Sequence, residues 1–553
     1  MNKKVCSFPI LFALLALLIG TCAVVFPASA QAAPTSTGSI TVSGNVARSY
    51  DAYQIFSANV VDGDSDAKIA TDLAWASDAV RDAALPVLHS AGMPNSQTTA
   101  REAAEWLNTD SHLTSALSAQ LARSLQSSGA VSVALNAGTA AELPCGYWLI
   151  VADDAIAQGE AGTAPIMALV GGSAVTVKPK AATPKVSKHV LEDGAAAWQK
   201  AADATVADDL YWRLSATIPA GLTAYDTYTV QFVDTMGAGL DPSKVAASMH
   251  VYVAAGADGG FDAVQTGKDG RAGTEPAKGW TDIAAQCRVS VDGKTFTVRT
   301  GDLIATLGGA DAFTAGARVV AVYNAPLNSA CSHGIAKGNP NEVYLRYPRS
   351  PFADQSGDAG FTRTPSDDAC AYTWDLALTK RGSDGDKPLA GAVLSIADDR
   401  GRTLATDGTW DAEGKATVTT GEDGRATVSG VDSGKLEVRE PKAPKGYTAF
   451  EGTRSVTVKA EGLDVDQVAA AKPKLTITAE SPLRADSADG STGSLEASII
   501  NTPTGTPPSI TTGGFMPSTG DMAMYAAAAA AVAGAALIVV ALLVKRGGGS
   551  HKE

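Results

Sequence analysis

Cys145, Cys287, Cys331 and Cys370 are the first candidates for chemistry in this chain. Outside a membrane such thiols can pair as disulfides, and four cysteines allow three connectivities between which a sequence does not choose. There is no C-x-x-C and no cluster of histidines, so a zinc site is not expected. Asp62-Gly63-Asp64-Ser65-Asp66 opens like a calcium loop, but Ala67 stands where the loop needs Gly and Leu73 where it needs Glu, which leaves a solvated loop. No nucleophile, base and acid recur at a recognisable spacing, and no Gly-rich phosphate loop is present. A turnover enzyme, a metal and a cofactor are therefore not expected. The net charge of −14 argues against nucleic acid, whose binders are usually basic. One short string remains: Met516-Pro517-Ser518-Thr519-Gly520, placed just before an uncharged apolar run and a basic pair.

That run, Met522–Val544, is long enough to span a bilayer, which needs roughly 20 apolar residues. Lys545-Arg546 behind it marks the cytoplasmic side. The order of short motif, apolar span and basic stop resembles the cell-wall sorting signal of Gram-positive surface proteins, normally L-P-x-T-G. Met516 departs from the family's Leu and points to a variant sortase. The resemblance implies that a membrane sortase cuts between Thr519 and Gly520, holds the Thr carboxyl as a thioester, and passes it to an amine. A plain membrane anchor is the alternative. At the other end, Lys3-Lys4, the apolar stretch Phe8–Phe26 and Ala28-Ser29-Ala30 read as a secretory signal peptide, residues 1–30. Cys22 follows Ile19-Gly20-Thr21, a poor lipidation site. The exported part, Gln31–Thr519, has room for about three domains at ~150 residues each.

The elements follow in order. Residues 38–180 open with strand-like Ser39–Val42 and Tyr50–Phe56, whose alternation and aromatic content favour β structure. Residues 78–127 are Ala-rich with helical spacing, which predicts one or two helices set into a β domain. A linker of Ala, Thr and Pro follows. Residues 185–363 carry short alternating runs separated by Gly, Pro and Asp turns, as in an all-β sandwich. Residues 372–503 form a third unit, 504–515 a Gly/Pro/Thr spacer suited to a flexible stalk, and 516–553 the sorting signal.

Taken together, Leu376-Ala377-Leu378-Thr379-Lys380, Pro388-Leu389-Ala390-Gly391-Ala392, Leu436–Tyr447 and Asn501-Thr502 resemble the Gram-positive major (backbone) pilins. The resemblance implies a mainly β chain of tandem immunoglobulin-like, collagen-adhesin-type sandwiches, the last prealbumin-like and the first with a helical insertion. In that family a lysine on the first strand joins an asparagine on the last by a self-formed isopeptide bond, helped by an acid. The match assigns Lys380, Asn501 and, as catalyst, Glu440. Physical chemistry makes the assignment reasonable. An amine attacks only when neutral, and burial lowers a lysine's pKa while raising a carboxyl's. A protonated carboxyl can polarise the asparagine amide and carry a proton as ammonia leaves. In the middle unit the same match selects Lys188, Asp234 as the acid, and Asn341. The family's terminal Asn pair is missing here, which leaves Asn339 as the other acceptor; Asn341 is preferred because it leads directly into a strand. Lys180, in Val175-Thr176-Val177-Lys178-Pro179-Lys180, matches the pilin-motif lysine that attacks the thioester of another subunit, with Lys178 in place of the family's Tyr. Lys178 is the alternative nucleophile. No lysine opens the first unit's first strand, so no crosslink is expected there.

The expectation is a secreted structural subunit, polymerised by sortase through Lys180 and Thr519. Its partners would be sortase, further copies of itself and peptidoglycan, with a host surface ligand that the sequence does not identify. A monomeric wall-anchored adhesin and a minor pilin are the alternatives.

Overall fold

The computed structural model describes residues 36–505, apart from 45–47, 65–66, 110–111, 154–159, 161, 180–182, 193–196, 221, 257–278, 337, 352 and 399–400. The signal-peptide segment, Lys180, the sorting motif Met516–Gly520 and the apolar run Met522–Val544 lie outside the described residues. Among the described residues no helix is long and apolar enough to cross a membrane. The chain is mainly β, in successive units each built of two sheets.

In the first unit a long strand, Ser49–Asp62, pairs with Lys68–Trp75, Val133–Asn136 and Gly146–Ala152. A small sheet of Thr37–Val42, Ala140–Pro144 and Val175–Val177 completes it. The Ala-rich stretch forms three helices, Asp78–Ser90, Ala100–Leu107 and Ser115–Ser128, rather than one or two. Capping explains the difference. Ser77 accepts from the Val80 amide, Thr99 and Glu102 form a reciprocal capping box, and Thr114 accepts from the Leu117 amide. Each cap satisfies amides that a continuous helix would have bonded internally, so each is a start signal. Leu88, Ala103, Leu121 and Leu125 pack with Phe56, Leu149 and Val151 in one apolar core. The Asp62 carboxylate accepts from the Ser173 amide at 2.9 Å and from Lys68 Nζ at 3.4 Å.

The middle unit is a sandwich. One sheet runs Ala197–Gln199, Val186–Glu192, Tyr211–Thr217, Arg318–Asn324, His250–Ala254 and Thr281–Asp282. The other runs Ala201–Asp203, Asp367–Tyr372, Asn339–Pro348, Gln231–Met236, Thr295–Arg299 and Arg288–Asp292. The chain changes sheets at Lys200. Asp367–Tyr372 completes the second sheet and runs almost directly into Trp374–Gly382, the first strand of the third unit.

In the third unit that first strand lies parallel to the last, Ser494–Pro503, with Lys380 opposite Ile499 and Gly382 opposite Asn501. The facing sheet contains Val393–Ala397, Gly434–Lys442, Arg454–Glu461 and Lys474–Ala479. The middle and third units are joined by buried polar contacts. Asp203, 2% exposed, accepts from Trp374 Nε1 at 2.6 Å and from the Ser433 amide at 3.0 Å. Arg402 bonds Asp208 at 2.9 Å, and the Arg123–Asp226 pair at 2.8 Å ties the first unit to the middle one. Cys145, Cys287, Cys331 and Cys370 are all free thiols.

Candidate functional site

Each candidate residue of the third unit occupies an inward position on a strand whose inward face is otherwise apolar. Side chains alternate between faces along a strand, and Trp374, Leu376, Leu378 and Lys380 share the buried face of theirs. Leu436, Val438 and Glu440 do so on a second strand. Leu495, Ala497, Ile499 and Asn501 do so on a third. The three rows converge. Lys380 Nζ lies 2.5 Å from Asn501 Oδ1 and 2.9 Å from Glu440 Oε1. Asn501 Nδ2 donates to Glu440 Oε1 at 2.9 Å and Oε2 at 3.1 Å. The Lys380 and Glu440 side chains are completely buried. Burial brings the Lys380 pKa down to about 8 against the pull of Glu440. The Phe450 amide donates to Glu440 Oε2 at 3.1 Å, and the Phe450 ring centroid lies 5.4 Å from Lys380 Nζ.

The middle unit repeats the pattern across its two sheets. Lys188 comes from one sheet; Asp234 and Asn341 come from neighbouring strands of the other, where Asn341 sits opposite Met236. All three are 0% exposed. Lys188 Nζ bonds Asp234 Oδ2. Burial lowers the Lys188 pKa to about 8 and raises that of Asp234. Asn339 is otherwise engaged: its Oδ1 accepts from the Ser332 amide at 2.8 Å, and its Nδ2 donates to Ser332 O and Ala371 O. Among the described residues Asn341 Oδ1 has no hydrogen-bond partner. Buried ion pairs of this kind are weak sources of stability, because desolvation offsets much of their attraction. Such a pair beside an asparagine amide, in direct contact in the third unit and bridged by the Tyr323 hydroxyl in the middle one, points to chemistry rather than to scaffolding.

Several neighbours carry no signal in a motif. Tyr323 places its hydroxyl 2.8 Å from Lys188 Nζ, 3.1 Å from Asp234 Oδ2 and 2.9 Å from Asn341 Nδ2. The inward alternation of Val319, Ala321 and Tyr323 could have flagged it, since a buried tyrosine usually finds a polar partner for its hydroxyl. Asp367 and Lys200 hold the Lys188 backbone. Its amide donates to Asp367 Oδ2 at 2.7 Å, and its carbonyl accepts from Lys200 Nζ at 2.8 Å. They supply the partners that a neighbouring strand would have given, because pairing with Ala197–Gln199 ends at Val190. Lys178 is exposed at the end of the first unit, and Lys180 lies outside the described residues.

Comparison with known proteins gives three kinds of likeness. The "Trypsin-resistant surface T6 protein" of Streptococcus pyogenes serotype M6 is 30% identical over 143 residues, which is 24% of this chain and 24% of that protein. The chain thus spans about a quarter of the length of the curated relative it matches. Among solved structures, the T6 backbone pilin of serotype M6 Streptococcus pyogenes aligns over 86% of this chain and 100% of its own, with 16% identity and a TM-score of 0.48. The full-length major pilin SpaD from Corynebacterium diphtheriae aligns over 86% of this chain and 100% of its own, with 15% identity and a TM-score of 0.41. Identities this low carry no function across. The family described as "SpaA: Prealbumin-like fold domain" matches residues 375–472, the part of the third unit that holds Lys380 and Glu440.

Proposed function

We propose that the chain is the backbone subunit of a covalent surface pilus, secreted and polymerised by a sortase. Its middle and third domains are locked by Lys188–Asn341 and Lys380–Asn501 isopeptide bonds. The observation that carries this reading is the buried contact of Lys380, Glu440 and Asn501 between the first and last strands of one domain. In the reaction Lys380 gives a proton to Glu440 and attacks Asn501 Cγ as a neutral amine. The Nζ–Cγ bond forms, the Cγ–Nδ2 bond breaks, Glu440 returns the proton to the departing nitrogen so that ammonia leaves, and the second proton lost by Nζ passes to Glu440. Asp234 is the corresponding acid for Lys188 and Asn341. A domain pulled along the chain is then tied at both ends, which suits a fibre under load. Polymerisation follows from the terminal segments: Thr519, cut from Gly520, is the acyl donor, and Lys180 of another copy is the acceptor. The last copy is passed to peptidoglycan, and the fibre supports adhesion.

The test is a denaturing gel of muramidase-released wall material, blotted for this chain, from cells carrying the wild type or Lys180→Ala. The expected result is a boiling-resistant ladder that collapses to a wall-linked monomer in the variant. A ladder in both moves the acceptor, with Lys178 next in line. A single band in both makes the protein a monomeric anchored adhesin.

The lowered lysine pKa values set a pH dependence for crosslinking. The ion pair and the reactive neutral pair hold the same number of protons, so the rate is expected to be flat up to about pH 8 and to fall in acid only where the pair takes up a second proton. Above the lysine pKa of about 8 at both sites the shared proton is lost, the carboxyl can no longer act as an acid, and the rate falls. Mass spectrometry of freshly folded chain across the pH range measures this. A rate that climbs steadily with pH, as for an exposed amine, would exclude the shared-proton mechanism.

A further inference from the structure

We propose that Tyr323 is a catalytic residue of the middle crosslink, relaying a proton from Asp234 to the leaving amide nitrogen of Asn341. This rests on the isopeptide reading above and adds a component to it. In the third domain the acid is a glutamate whose two oxygens lie 2.9 and 3.1 Å from Asn501 Nδ2, so acid and leaving group touch directly. The middle domain uses an aspartate, one methylene shorter. There Asn341 Nδ2 donates to the Tyr323 hydroxyl at 2.9 Å, and that hydroxyl donates to Asp234 Oδ2 at 3.1 Å. The Tyr323 hydroxyl oxygen also accepts from Lys188 Nζ at 2.8 Å. The phenol therefore stands between the acid, the nucleophile and the leaving group, and touches all three.

Its position is well supported. Tyr323 is 0% exposed and its ring packs edge-on against Phe296 at 4.7 Å between centroids. Because Asn341 Oδ1 has no partner among the described residues, the bond to Tyr323 sets the rotation of the amide. Burial keeps the phenol protonated, with its pKa well above 10, so it has a proton to give and does not add a second negative charge beside Asp234.

The step balances. Lys188 Nζ first passes a proton to Asp234 Oδ2, leaving a neutral amine and a carboxylic acid. The amine attacks Asn341 Cγ, forming the Nζ–Cγ bond. As the Cγ–Nδ2 bond breaks, Tyr323 gives its hydroxyl proton to Nδ2 and takes the acid proton of Asp234. The second proton lost by Nζ returns to Asp234. The products are a secondary amide and ammonia, with Tyr323 and Asp234 both protonated.

The experiment is synthesis of the full chain in a cell-free system, sampled over time, denatured and digested, with the Lys188–Asn341 and Lys380–Asn501 crosslinked peptides counted in each sample. Tyr323→Phe is expected to slow the middle bond by about 10²–10⁴-fold, the usual size of a positioned acid–base group, while the third-domain bond forms at the wild-type rate. Adding Asp234→Glu to Tyr323→Phe lengthens the acid to the reach of the third-domain glutamate and is expected to restore the middle bond. Protease resistance of the variants verifies that the middle domain still folds. A middle bond formed at the wild-type rate in Tyr323→Phe would overturn the relay. So would a loss in a folded chain that Asp234→Glu does not rescue, since the hydroxyl would then only hold the amide in place. Absence of the middle bond in the wild type would instead sink the isopeptide reading of that domain, and the relay with it.

Discussion

Replacing Asn501 by Ala is expected to lower the stability of the third domain by about 5 kcal/mol, the chain-entropy value for closing a loop of roughly this length. The bond would join residues 121 apart, so nearly the whole domain lies inside the loop. Without it the unfolded chain regains the freedom that the crosslink removes, and the folded chain keeps a buried Lys380–Glu440 pair whose amide partner is gone. Both effects act in the same direction. The variant is also expected to weigh one ammonia more than the crosslinked chain, after allowing for the substitution itself. Denaturant unfolding of the variant beside the wild type measures the first effect and intact mass the second. Equal midpoints, or a wild-type mass that already equals the full sequence mass, would remove the crosslink from the account.

Glu440→Gln is the second change with a large expected effect. Glutamine keeps the size of the side chain and an oxygen that can accept from Asn501 Nδ2, but it cannot take a proton from Lys380 or return one to the leaving nitrogen. The rate of the Lys380–Asn501 bond is expected to fall by about 10²–10⁴-fold. The proposed Lys188–Asn341 bond, whose acid would be Asp234, serves as the control within the same molecule. A time course of crosslinked peptides separates the two sites. If Glu440→Gln formed its bond at the wild-type rate, the carboxyl would be a structural partner of Lys380 and not a proton carrier.

How much of this was legible beforehand follows from period-two alternation. Lys380, Glu440, Asn501, Asp234 and Asn341 each stand two residues from an apolar neighbour on the same strand, so their inward direction is encoded locally. The mainly β character, the helical insertion in the first unit and the choice between candidate strands rest on the same kind of short-range pattern. The Ala-rich insertion was less clear, because its division into three helices depends on which of several Ser and Thr residues actually cap amides.

Other features have no local signature. That the first and last strands of the third domain lie parallel and adjacent is a matter of sheet order. That Asn339 is tied to Ser332 while Asn341 faces Tyr323 depends on a loop folding back beside the strand. Lys200 and Asp367 meet at the Lys188 backbone because the chain changes sheets at Lys200, although Asp367 is 179 residues away from Lys188. By itself the sequence determined the residue types, their inward faces and the order of the units, since these depend on spacing along one strand. Only the tertiary structure decided which faces meet and which hydroxyl stands between an acid and its amide, because contacts between strands distant in sequence are set by packing of the whole domain.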